Sequence, residues 1–124
     1  RFYLKHPDDK GDYILVDDTL NITSVIDWEW TRTASWAEAF SSPCMMWPVG
    51  SFYEGSNELS DDEERFARLF RERGRHDLAD CVVHGRKVQR FFFAFGPGGG
   101  VLRDKETVSG LLGGLEQAFS PLNK

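Results

Sequence analysis

The sequence predicts an α+β fold dominated by helix, with a β-hairpin near its start and helices after it. Three observations carry this. Two β-prone runs, Tyr13-Ile14-Leu15-Val16 and Ile22-Thr23-Ser24-Val25-Ile26, flank a short polar loop. A helix-opening pattern, Ser60-Asp61-Asp62-Glu63, stands at mid-chain. Beyond it, apolar residues recur at helical spacing. With 124 residues, the chain can form one domain with a core of its own and is too short for two.

The hairpin loop, Asp17-Asp18-Thr19-Leu20-Asn21, is rich in side chains that hydrogen-bond their own backbone, so the two runs pair antiparallel. Residues 34–40 suit a short helix. Pro43 and Pro48 then break an apolar stretch into an irregular loop. Ser60 caps the next helix. Phe66, Leu69 and Phe70 line it, Arg71 and Arg73 close its last turn, and Gly74 stops it. Residues 77–95 predict a second helix whose apolar face is Leu78, Cys81, Val82, Val88, Phe91, Phe92 and Phe95, with Gly85 as its weak point. Residues 96–100 (GPGGG) end it as a linker. A last helix over residues 105–119 places Val108, Leu111, Leu112, Leu115 and Phe119 on one side.

Composition narrows the function classes. A 40% hydrophobic and 28% charged chain folds rather than remaining disordered. A net charge of -5 argues against a nucleic-acid partner, which needs a basic face. Arg65, Arg68, Arg71, Arg73 and Arg75 are scattered as on a solvated helix face. No apolar run approaches the roughly 20 residues of a membrane span. Cys44 and Cys81 lack ligand spacing and sit among apolar neighbours, the pattern of reduced core cysteines in a cytoplasmic protein. The chain starts at Arg1 without Met, so a segment upstream is expected and the sequence reads as a fragment.

The chemistry concentrates at the start. Phosphoryl transfer needs a group that orients the acceptor hydroxyl and carboxylates that hold magnesium on the nucleotide phosphates. The hairpin makes two acids neighbours: its first strand leads away from the Asp8 loop, and its second returns Asp27 to the same edge. On spacing alone, Asp8 and Asp9 serve equally well as turn acids. His6 suits either bracing of the loop through backbone hydrogen bonds or acid-base catalysis. Trp28, Trp30, Trp36 and Trp47 are expected to serve packing. His76 and His84 lack the spacing of a zinc site, and the glycines at 96–100 lack the spacing of a phosphate loop.

Residues 4–30 (LKHPDDKGDYILVDDTLNITSVIDWEW) resemble the catalytic region of the aminoglycoside phosphotransferase-like superfamily of kinases, especially a divergent branch frequent in fungi. His6 and Asp8 fall on the family's first His and catalytic Asp, Ile14 to Asp17 on the strand that follows, and Ile26-Asp27-Trp28-Glu29 on the metal-Asp motif. The match covers about the first thirty residues. Residues 31–124 resemble the helical C-terminal part of the same lobe with less specific motifs. Two positions depart from the pattern: Lys10 stands for the second His, and Tyr13 for the metal-binding Asn. A phenol is a poor substitute for an amide carbonyl on magnesium, which makes Asp12 the candidate second ligand.

The resemblance therefore implies a kinase-like C-terminal lobe, one partial domain over residues 1–124. Asp8 is its catalytic residue, Asp27 and Asp12 are its metal ligands, and His6 supports the loop. It implies Mg2+ and ATP as cofactors, a small-molecule hydroxyl as acceptor, and a nucleotide-binding N-terminal lobe of the same parent chain as partner. This fragment alone is expected to be inactive. The alternative is a non-catalytic, pseudokinase-like binding domain, which Tyr13 favours.

Overall fold

The computed structural model describes residues 1–6, 10–95 and 104–120. Asp8, the adjoining Pro7 and Asp9, and the predicted linker at 96–100 lie outside the described residues. Four short strands, Tyr3–Lys5 (β1), Ile14–Val16 (β2), Ile22–Val25 (β3) and Arg32–Ala34 (β4), precede six helices. The helices are Trp36–Ala39 (α1), Val49–Tyr53 (α2), Asp61–Glu72 (α3), His76–Val83 (α4), Arg86–Phe95 (α5) and Lys105–Phe119 (α6). Two 3-10 turns, Trp28–Trp30 and Cys44–Met46, lie between them. The arrangement is α+β and mainly helical, as the sequence predicts. Among the described residues no helix is long and apolar enough to cross a membrane.

The strands form two nested antiparallel pairs. The inner pair is the predicted hairpin, with Ile14 opposite Val25 and Leu15 opposite Ser24, and an irregularity between Leu15 and Val16. The outer pair, β1 with β4, has Tyr3 opposite Ala34 and Lys5 opposite Arg32. It has no counterpart in the sequence reading, which places Ala34 in a helix. That helix starts later: Ser35 caps it by accepting from the Glu38 N–H. Tyr3 anchors the outer pair edge-on to Trp36 and Phe40. The stretch expected to be an irregular loop contains a turn and α2, because Pro48 stands just before the helix, where its missing N–H is harmless.

The capping box of α3 forms in full: Ser60 Oγ accepts from the Glu63 N–H, and the Glu63 carboxylate accepts from the Ser60 N–H at 2.9 Å. At its other end Gly74, at φ 71°, closes a Schellman turn in which the Arg75 N–H donates to the Phe70 carbonyl. Ala67, Ala79 and Val82 form a small apolar core between α3 and α4, with Phe66, Phe70 and Val83 against it. The five arginines at 65, 68, 71, 73 and 75 are exposed, as expected.

Residues 77–95 are two helices, not one. The break falls at Gly85, where a Cβ would lie 3.0 Å from the Cys81 carbonyl oxygen and 3.1 Å from the Ser41 Cβ. Chain passing close by needs a residue without a side chain there. Breaking the helix changes its phase. The inner face of α5 is Arg86, Gln89, Arg90 and Phe93, while the predicted core residue Phe91 is 59% exposed. The inner face of α6 likewise differs from its leucine stripe: Leu111, Gly114 and Ala118 are buried, and Val108, Leu112 and Phe119 are exposed.

The buried side of α5 is polar. Arg86 and Glu63, 4% and 0% exposed, form a two-pronged ion pair at 2.8 and 2.6 Å. Ser42 Oγ donates to the same carboxylate, and Gln89 accepts from Arg86 while donating to Ser42. Arg90 is fully buried on neutral partners: it donates to the Phe52 and Ser56 carbonyls and to Asn57 Oδ1, with its guanidinium 3.9 Å over the Phe52 ring. Burial, and then the neighbouring Arg86 charge, lower its pKa to about 10. It stays protonated at neutral pH.

Candidate active site

The candidate site stands where the two strand pairs meet. β1 runs into the loop that begins at His6, and β3 runs into the turn that holds Asp27. His6 joins these ends: its Nε2 donates to the Ile26 carbonyl at 3.0 Å, which fixes the proton on that nitrogen. Its ring stacks on Tyr13 with centroids 4.0 Å apart and meets Trp28 edge-on at 5.7 Å. Residue 6 is thus clamped between the residue before Asp27 and the residue after Asp12.

Asp27 adopts left-handed backbone geometry, φ 59° and ψ 41°, just before a 3-10 turn. Asp tolerates that region better than most residues, at a cost of about 1 kcal/mol. The Trp28 indole N–H donates to the Val25 carbonyl at 2.6 Å and pins the turn. The Asp27 residue is exposed, so its carboxylate is presented outward at the end of β3.

Asp12 lies in the turn before β2 rather than in a strand, because the strand begins only at Ile14. Its carboxylate stands 3.9 Å from Lys10 Nζ, a distance that contributes little between exposed side chains. Tyr13 has its ring committed to the His6 stack. Among the described residues no group of three His, Cys, Asp or Glu side chains forms a metal cluster. Asp8 lies outside the described residues.

Other expectations resolve unevenly. Trp36 and Trp47 pack, Trp47 against Phe52 and Phe93, whereas Trp28 and Trp30 are 50% and 65% exposed. No disulfide joins the two cysteines. Cys81 is buried, and burial pushes its thiol above the usual range, while Cys44 is only half-buried. A groove of about 730 Å³ lies elsewhere, between Glu54, Gly55 and Ser56 and the glycine face of α6. It includes neither Asp12 nor Asp27.

The hairpin turn opposite the site is organised by Asp17, whose carboxylate accepts from the Thr19 hydroxyl and N–H and from the Asn21 N–H and side chain. These bonds, the Thr19 hydroxyl first, lower its pKa to about 2. A carboxylate depressed on folding stabilises the turn above its unfolded value of 3.8, and the effect is lost as pH falls through about 2. The Thr19 and Asn21 amide resonances are therefore expected to titrate near pH 2. A midpoint near the ordinary aspartate value would show that the turn does not hold the anion.

Comparison of the chain with protein-family models, with curated proteins and with solved structures returns no match.

Proposed function

We propose that this chain is the catalytic-loop and helical part of an aminoglycoside phosphotransferase-like kinase domain, one that phosphorylates a hydroxyl of a small molecule. The observation that carries the reading is the hydrogen bond from His6 to the Ile26 carbonyl. It ties the start of the acidic loop to the residue before Asp27, which is the juxtaposition this chemistry requires.

Magnesium-bound ATP supplies the phosphoryl group when present. Asp27 offers it a hard oxygen donor in a conformation that its turn enforces, and Asp12, exposed in its own turn, is the second candidate donor. Asp8 orients the acceptor hydroxyl and takes its proton. His6 keeps the loop in register. The exposed Leu15, Ile22, Trp28 and Trp30 give an upstream lobe an apolar surface to rest on. Tyr13 supports a second reading, a pseudokinase-like domain that binds without catalysis, since its ring is spent on packing.

Calorimetric titration of magnesium and ATP, with a turnover assay, distinguishes these readings in a chain extended to include its upstream lobe. Asp27→Asn is expected to abolish metal-dependent binding, and Asp12→Asn to weaken it less. Asparagine tolerates left-handed backbone, so the substitution at Asp27 removes charge and spares the turn. The 124-residue chain alone is expected to show no turnover, because the donors around the phosphates come from the upstream lobe. Equal or reversed losses would move the metal to Asp12. Metal-dependent binding without turnover would favour the pseudokinase reading.

A further inference from the structure

Arg86 has one donor left over. Its guanidinium meets the Glu63 carboxylate end-on, Nη1 to Oε1 at 2.8 Å and Nη2 to Oε2 at 2.6 Å. The other Nη1 hydrogen goes to Gln89 Oε1 and the other Nη2 hydrogen to the Glu58 carbonyl. A guanidinium holds its N–H groups in a fixed planar fork, and Nη2 is the nitrogen beside the Nε–H. The Nε–H therefore points to the side of Glu58. That nitrogen is buried without a hydrogen-bond partner, on a residue only 4% exposed. A buried donor left unmatched is unfavourable, so an acceptor offered there gains what the fold leaves unpaired.

On that side lies a groove of about 470 Å³, with Glu58 and Arg86 in its wall and Ser56, His84, Lys87 and Gln117 around it. It stands at the start of α5, where the Gln89 N–H donates to the Gly85 carbonyl and makes Gly85 the capping position. The first N–H groups of a helix have no acceptor within it, and glycine brings no side chain to serve them. Lys87 adds a charge in the first turn, its ammonium 6.0 Å from the Phe119 ring centroid on α6. The charge of Arg86 is already balanced by Glu63, and Glu58 is the one acid among the described residues that line the groove. We propose that this groove is a phosphate site, in which one oxygen accepts from the Arg86 Nε–H while Lys87 and the start of α5 hold the others. Phosphate suits it better than a flat carboxylate, because tetrahedral oxygens meet donors that arrive from three directions. The ligand is free phosphate or the phosphate group of a small monoester. Neither Asp12 nor Asp27 lines the groove, so the inference is independent of the kinase reading.

The test titrates inorganic phosphate into the 124-residue chain at fixed pH and ionic strength while NMR follows the Arg86 Nε–H resonance. A saturable shift of that resonance is expected, a readout that needs no variant and leaves the buried ion pair intact. Lys87→Gln removes a charge from outside the Glu63 network and is expected to weaken binding about tenfold. Glu58→Gln removes the opposing charge and is expected to tighten it. The same titration with glycerol 3-phosphate separates the two sources: tighter binding than inorganic phosphate assigns a monoester, and equal or weaker binding assigns the free ion. An Arg86 Nε–H resonance that responds to neither compound overturns the proposal. So does a response that Lys87→Gln leaves unchanged, which would mark an adventitious ion only. None of these results depends on ATP or magnesium.

Discussion

Replacing Glu63 by alanine is expected to destabilise the fold by about 3–5 kcal/mol, the range for breaking a buried ion pair from one side. The Glu63 carboxylate accepts four hydrogen bonds: two from Arg86, one from Ser42 and one from the Ser60 backbone. Removing it leaves the Arg86 charge buried without its counter-charge and also removes half of the α3 capping box. A double variant, Glu63→Leu with Arg86→Met, is expected to recover part of the loss, because paired apolar replacements remove the desolvation penalty of both ions. Recovery should be incomplete, since Ser42 and the cap still lose their acceptor. Urea unfolding of the single and double variants measures both effects. A Glu63→Ala loss below about 1 kcal/mol, the level of an exposed pair, would show that this charge is not buried in solution.

Gly110→Ala and Gly113→Ala are expected to have opposite signs although both lie in α6. A Cβ on Gly110 would overlap the Tyr53 carbonyl oxygen and come within 3.1 Å of the Glu54 carbonyl carbon. Its obstacles are backbone and cannot swing away, so α6 must move off the end of α2. Overpacking of this kind costs up to about 3 kcal/mol, against a helix-propensity gain of about 1 kcal/mol for replacing glycine by alanine. A net loss of about 2 kcal/mol is expected. Nothing lies within 4 Å of a Cβ on Gly113, so there the propensity gain stands alone and the variant is expected to be more stable by about 0.5–1 kcal/mol. Chemical denaturation of both variants checks the pair, and equal shifts in one direction would mean that α6 does not approach α2 as described.

The hairpin, the α3 cap and stop, and the bounds of α6 were legible because each is specified by neighbours in sequence. Ser60 and Glu63 cap the same turn, and Asp17 folds its own loop. The outer strand pair was not legible. Tyr3-Leu4-Lys5 and Arg32-Thr33-Ala34 are too short to show alternation, and their pairing is set by Tyr3 meeting Trp36 and Phe40. The polar face of α5 was hidden for a different reason. Arg86, Gln89 and Arg90 look like solvent-facing residues, and their spacing with Phe93 becomes a face only once Gly85 resets the helix phase. Glu63 was visible as a cap but not as an ion-pair partner, because Arg86 lies 23 residues away. At the candidate site, the position of Asp27 just after the second hairpin strand followed from hairpin geometry. The commitment of Tyr13 to the His6 ring did not, since stacking leaves no mark on spacing.

The polar network inside the helical part also bears on how that part assembles. Its bonds join Ser42 to Gln89, Phe52 and Asn57 to Arg90, and Glu63 to Arg86, across 23 to 47 residues of chain. An apolar core gains something from each group that arrives, so it can form in stages. A buried guanidinium gains nothing until its acceptors are in place, and before that it is better off in water. Partly docked states, with α5 against the protein and α3 or residues 52–57 still loose, are therefore high in free energy. The helical part should cross its folding barrier as one cooperative unit, with slow steps set by closing these long loops rather than by forming its helices.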